Sequence, residues 1–353
     1  MEQPVQKQRL WYWDNAKALL IFLVVLGHLI SPVDTELTRT VYTFIYIFHM
    51  PLFIFIAGYF GRKAQTAFQF QRVVGFLALA VAVKLLKFVT TFIMGETYGL
   101  HPFAGADEPW YLMAMAMWLS CSFLLGSIKP QPKLWAVLVV MILLGMLVGY
   151  ETSDLDGLAL MRVIVCFPFY YAGMAMPRDW MGKLRQKRWR WVALVVFCGL
   201  IVLVAWQREF FLPLRPLFTN RNRYSSIGDI FSWGWLYRLG HYVLAGALGL
   251  GVLLLAAKRR LPLVTHVGSH TLQVFFWQSV LMPFMRVEFR GAPTTLSERL
   301  YEAVPFPVVV LAAAAMTLLF STKPFSFPVK WLSNLPLPRF LFSHEEEPAC
   351  GAS

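Results

Sequence analysis

From Ala16 to Ile30 the chain reads AKALLIFLVVLGHLI, apolar at every position except Lys17 and His28. A collar of charged and aromatic residues precedes it: Arg9, Trp11, Tyr12, Trp13 and Asp14. An apolar run of about 17–25 residues behind such an anchor is the pattern of a helix that crosses a bilayer. The pattern recurs along the chain, and ten crossings are expected at 15–32, 41–61, 73–95, 110–128, 134–150, 159–176, 190–207, 236–256, 270–285 and 304–321. The ninth is the shortest and carries Gln273 and Gln278. The expected fold is therefore all-α, a polytopic membrane protein of about ten transmembrane helices. Residues 1–14 form a cytoplasmic N-terminal collar, 15–321 one transmembrane domain and 322–353 a cytoplasmic tail. The first apolar run is too long for a signal peptide and lacks a small-residue cleavage site, so it is expected to stay as a span.

Composition supports this reading. Of 353 residues 58% are hydrophobic and 14% charged, well to the apolar side of soluble proteins. The net charge of +13 raises nucleic acid as a partner, but the Lys and Arg residues sit in short loops between apolar runs and build no continuous basic face. They are expected to set topology, and no nucleic-acid partner is expected. Basic residues cluster in alternate loops, from Lys7 and Arg9 to Lys323, Lys330 and Arg339, so both termini are expected in the cytoplasm. Two segments break the rule: 208–235, with Arg208, Arg215, Arg221 and Arg223, and 286–303, with Arg286, Arg290 and Arg299. Basic residues on the outer side need another reason, such as contact with an anion. The 208–235 segment is also the one long connection, either a functional lid or a solvated linker. The four cysteines lack metal-site or disulfide spacing and read as small buried residues, and no metal is expected. Cys350 stands where a prenylation box would, but Gly and Ala suit that box poorly and a multi-span protein needs no lipid anchor.

Ionisable side chains at membrane depth are the candidates for chemistry. His28 and His49 fall on successive antiparallel spans, and a rise of 1.5 Å per residue places their depths within about 6 Å of each other. They are expected to share a pocket; the alternative for each is a hydrogen bond between helices. Pro51 should free a backbone carbonyl near His49. Asp14 suits the N-cap of the first span, with Lys17 three residues on, either paired with Asp14 or reaching a phosphate. Lys84 with Lys87, Arg162, and Arg238 with His241 add positive charge at depth, and the carboxylates of a cation relay are scarce. An anionic ligand suits such a set better than a cation. Trp110, Tyr111, Trp118, Trp233, Trp235 and Tyr237 read mostly as an interfacial belt, with a minority free to stack on a sugar ring.

The stretches RLWYWDNAKALLIFLVVLGHLI and YIFHMPLFIFIAGYF together resemble the opening of the acyltransferase-3 family, in its fucose 4-O-acetylase-like branch. PWYLMAMAMW, VCFPFYYAGM and VGSHTLQVFFWQ are similar to later segments of that family, extending the resemblance over nearly the whole chain. It implies a ten-span enzyme that moves an acyl group, usually acetyl, from acyl-CoA to a hydroxyl of a sugar or glycan-like acceptor. By carry-over His28 is the catalytic His, with Asp14, Lys17, His49 and Arg72 as site residues. Ala57 stands where the family often has Ser, and Gln278 where it often has His. The resulting expectation is a membrane O-acetyltransferase with acyl-CoA, most simply acetyl-CoA, as donor. His28 and His49 are the catalytic candidates, Lys17 and Arg72 hold the donor, and Asp14, Arg162, Arg238, His241 and Gln278 bind acceptor or support the site. A transporter or channel for an anionic solute is the alternative, using the same cations without acyl chemistry.

Overall fold

A single unbroken helix, α1 (Trp11–Ile30), forms the axis on which the rest of the chain is assembled. Its apolar residues point all round, so it needs protein neighbours on several sides. The computed structural model, which describes residues 10–33, 35–93, 109–129, 133–151, 158–177, 180–286 and 305–335, supplies them. Packed against α1 are α2 (Glu36–Gly61), α11 (Gly234–Leu255), α12 (Pro262–Ser269), α13 (Thr271–Arg286) and α14 (Phe306–Phe320). The expectations placed on Lys7, Arg9, Asp34, the loops 94–108, 152–157 and 287–304, and the tail from 336 with Arg339 and Cys350, lie outside the described residues.

α2 opens with a capping box in which the Thr35 hydroxyl accepts from Thr38 N–H and the Thr38 hydroxyl from Thr35 N–H, so it starts earlier than the expected 41. It runs back antiparallel to α1, bringing Tyr59 onto Trp13 at 4.5 Å between ring centroids. α6 (Leu160–Ala175) crosses α2 with backbones in contact: a Cβ on Gly58 would strike the Tyr170 carbonyl, and one on Gly173 the Phe55 carbonyl. Close crossings of this kind need residues without side chains. α3 (Phe70–Ile93) packs on α4 (Trp110–Ser127) and α13, and α5 (Leu134–Leu147) on α6 and α11. α8 (Lys187–Trp206) touches α11 and turns Val195, Val202 and other apolar side chains outward, as a lipid-facing helix does. The short α7 (Trp180–Leu184), α9 (Arg208–Phe211) and α10 (Arg215–Phe218) join these, and α15 (Val329–Ser333) folds back on α3 beside Gly75.

The molecule is an all-α integral membrane protein, with no strand among the described residues. A helix underlies each of the ten expected segments. By length and composition, six helices reach across a membrane, or seven if the pair Phe306–Phe320 and Lys323–Ser333, bent by 69°, counts as one span; α5 and α6 are apolar but shorter. The expected ten crossings thus exceed what helix length supports among the described residues.

Several local expectations change. Asp14 is not an N-cap: the helix begins at Trp11 behind Leu10, and Asp14 lies in its first turn. The carbonyl that Pro51 leaves without a helical partner, Ile47 O, bonds His241 Nε2 at 2.9 Å and so ties α2 to α11. The 208–235 segment is no solvated linker, since Phe211, Leu214, Leu217, Phe218, Tyr224 and Ile227 are buried. Tyr111 and Trp118 belong to the core and not to an interfacial belt, and Trp118 Nε1 donates to Val163 O at 3.0 Å. Of the cysteines, Cys166 is buried but Cys198 is exposed on α8.

Candidate active site

At the end of the bundle where α1 finishes, helices α1, α2, α4, α6 and α13, with the end of α10 and the loop after it, line a polar cavity of about 180 Å³. α1 places His28 there in its last turn, and the tight turn into α2 returns the chain so that His49 meets the same space. The expected sharing of one pocket is therefore found in the structure. His49 is buried, with Nδ1 2.7 Å from Ile45 O one turn back. Since a carbonyl only accepts, that ring nitrogen carries the proton, leaving Nε2 as the acceptor face in the neutral ring. The Tyr46 ring meets the His49 ring edge-on at 4.8 Å, and Tyr42 stacks on Tyr46 at 3.8 Å. Arg162, in the first turn of α6, lies over the indole of Trp110 at 5.0 Å, and both line the cavity.

A further wall is the loop Thr219, Asn220, Arg221, beside Phe218 and Phe275, and its shape is held from behind. Arg238 on α11 is fully buried and donates through Nη1 to Leu217 O at 2.9 Å and Asn220 Oδ1 at 2.7 Å. Asn222 Nδ2 donates to Pro216 O and to the Thr219 hydroxyl, both at 2.9 Å. Tyr224 closes the arrangement by donating to Met146 O on α5 at 2.7 Å, and burial raises its hydroxyl pKa above the ordinary value. Asn220 adopts a left-handed conformation at φ 59°, and so do Leu158 and Ala159 just before Arg162, at 55° and 56°. These are the non-glycine left-handed residues among those described, and strain of this kind persists only where surroundings enforce it, often at functional sites.

The other expected site residues fall elsewhere. Arg238 does not line the cavity; it anchors the loop that does. His241 faces an apolar pocket beside Phe218, with its Nε2 engaged by Ile47 O. Gln278 is fully buried outside the cavity, donating to the Ser279 hydroxyl at 2.9 Å. Lys84 and Lys87 are buried on one face of α3. Asp14 and Lys17 form an ion pair at 2.9 Å near the opposite end of α1, and Arg72 stands exposed in the first turn of α3 at that same end. Ser31 carries no mark in the sequence; Thr219 and Asn220 lie in the 208–235 segment expected as a lid or a linker, without being singled out themselves. Arg185 was also missed. It is buried against the end of α11, donates to Leu253 O and Ala256 O, and lies over the Tyr12 ring at 4.5 Å; burial lowers its pKa. No group of three or more His, Cys, Asp or Glu is placed to hold a metal ion among the described residues.

Residues 10–322 match the family model described as an acyltransferase domain. The chain belongs to that acyltransferase family. Among relatives of this acyltransferase-family chain is nodulation protein NolL of Mesorhizobium japonicum, 24% identical over 220 residues, a match covering 56% of this chain and 56% of the relative. Nodulation protein NolL of Sinorhizobium fredii is 38% identical over 79 residues, covering 21% of this chain and 22% of its own. The chain thus spans a little over half of the first relative and about a fifth of the second. No solved structure matches. The family match begins at residue 10, just before α1, and ends at 322, just after α14, so it takes in every residue that lines the cavity.

Proposed function

We propose that this protein is a membrane O-acetyltransferase that moves an acetyl group from acetyl-CoA to a hydroxyl of a sugar or glycan-like acceptor. The observation that carries the reading is the meeting of His28, His49 and Arg162 in one polar cavity within a chain of the acyltransferase family. Acyl transfer to a hydroxyl needs a base for the hydroxyl proton and donors for the oxygen that becomes negative. In the proposed step His28 takes the proton as the acceptor oxygen bonds to the thioester carbonyl carbon. The carbonyl oxygen becomes an oxyanion facing the Arg162 guanidinium. Collapse breaks the carbon–sulfur bond, the CoA thiolate leaves, and it recovers the proton from the His28 imidazolium. The products are an acetate ester and CoA. The rings of Tyr42, Tyr46 and Trp110 in the wall offer apolar area against which the body of a sugar ring packs.

The donor's phosphates are assigned to Lys17 and Arg72 at the opposite end of the bundle, where charge-assisted contacts would hold them. Lys17 lies eleven positions before His28 on α1, roughly 16 Å along the axis, and the pantetheine arm must bridge that depth. With both termini in the cytoplasm, donor and acceptor approach from opposite faces. The deciding experiment measures CoA release from acetyl-CoA by the purified protein on addition of candidate acceptors, with mass spectrometry of the acceptor. Release coupled to a one-acetyl mass gain is expected. Binding of solute with no CoA release under any acceptor points instead to the transporter alternative.

A further inference from the structure

Charge around the cavity is one-sided. Its walls present Arg162 and Arg221 together with His28 and His49, and no carboxylate among the described residues lines it. A third guanidinium, Arg215, lies 4.3 Å from the centroid of the Tyr42 ring, whose residue forms part of the wall. The nearby acidic residue Glu36, at the start of α2, is engaged by Arg208. Clefts lined by one sign of charge with apolar surroundings concentrate field and select ligands of the opposite sign. On the topology expected from loop charge, Arg215 and Arg221 fall on the outer side, where insertion gives no reason for basic residues. The structure spends a buried arginine, Arg238, and a left-handed Asn220 to fix the loop that carries Arg221 beside the cavity.

We infer that the acceptor taken by this cavity carries an anionic group, a carboxylate, phosphate or sulfate ester, clamped between Arg162 and Arg221. The planar fork of guanidinium donors matches the oxygens of such groups, often two bonds at a time. Arg162 approaches from a helix at the cavity's side and Arg221 from the loop, so the anion is held between two elements. The stacked pair Tyr42 and Tyr46 supports the neutral ring next to it. The clamp orients the acceptor so that one hydroxyl faces His28. This inference rests on the reading that the cavity is the acceptor site, and it narrows that acceptor to charged saccharides.

The test uses the full chain in lipid nanodiscs and matched probe pairs that differ only in charge: glucuronic acid with its methyl ester, glucose 6-phosphate with glucose, and glucose 6-sulfate with glucose. Calorimetric titration at low salt should show at least one anionic member binding roughly tenfold or more tightly than its neutral partner, as two charge-assisted contacts provide. The preference should shrink at 0.5 M salt, where screening acts over only a few ångströms. It should also fall to near parity in Arg221→Gln, a change at an exposed loop position, and in Arg162→Gln. Equal binding, or no binding, of both members in every pair overturns the proposal, as does a preference that survives both substitutions. CoA release is scored separately: turnover without charge preference sinks the anionic clamp alone, whereas charge preference without turnover sinks the transferase reading and leaves the clamp.

Discussion

His28 and Arg238 show how differently two ionisable residues at membrane depth can be employed. Glutamine at 28 keeps a donor and an acceptor of similar reach but cannot take up a proton at neutral pH. His28→Gln is therefore expected to lower kcat by roughly 10²-fold or more while elution, melting and acetyl-CoA binding stay near wild type. Near-normal turnover would remove His28 from the mechanism and leave it as a polar wall residue. Arg238 has its Nη1 committed to Leu217 O and Asn220 Oδ1, away from the cavity. Arg238→Met should cost about 1.5–3 kcal/mol through lost charged hydrogen bonds. The loop it anchors should become open to protease between 215 and 235, with the acceptor KM rising more than that for acetyl-CoA. A variant with unchanged melting and protease pattern would show that the loop holds itself. Both residues were visible in the sequence as charges inside apolar runs, but their roles were not, because the partner of a long side chain depends on which helix lies opposite.

At the scale of elements, the α2 and α6 pair is the joint on which the cavity depends, since α2 carries His49 and α6 carries Arg162. Gly58 and Gly173 let the two backbones touch, and Ala57-Gly58 in the sequence marks the α2 half of that contact. Gly173→Leu forces the helices apart and is expected to cost about 1–3 kcal/mol or more, read as a lowered melting temperature and lost activity together. Gly199→Leu on α8 is the control: a Cβ there meets nothing within 4 Å, and stability should hold. If the two substitutions melt alike, the close crossing is not what sets stability. Gly268 plays a similar part where α12 meets the Asp14 carbonyl of α1, which gives a physical reason for glycine in VGSHTLQ. Pro51 was legible as a break in the hydrogen-bond ladder, yet the Ile47 carbonyl it frees meets His241 of α11 and not the cavity.

For the molecule as a whole, lipid-facing α8 and the buried axis α1 describe a bundle with a polar cavity at one end and Lys17 and Arg72 at the other. On the alternation of loop charge, both termini are expected in the cytoplasm. Cysteine accessibility in whole cells or spheroplasts checks this: single cysteines or tags at either terminus should react only after permeabilisation. Labelling of the C-terminus from outside would reverse the assignment and, with it, the proposed sides for donor and acceptor. The full count of crossings is tested by the same labelling in the loops.

Hydrophobic runs with a helical repeat and few charges determined the all-α membrane fold, and residue spacing with antiparallel order put His28 and His49 at one depth. Those quantities are local, set by the rise of a helix and the thickness of a bilayer. Which arginine faces the cavity and which braces the loop, where the carbonyl freed by Pro51 finds its donor, and that Thr219, Asn220 and Arg221 form the wall were decided only in the tertiary structure. Each depends on contacts between segments far apart in the chain, such as Arg238 with Asn220 or His241 with Ile47. A sequence pattern records that a helix has a polar residue on a face, but the packing of its neighbours fixes what that residue meets.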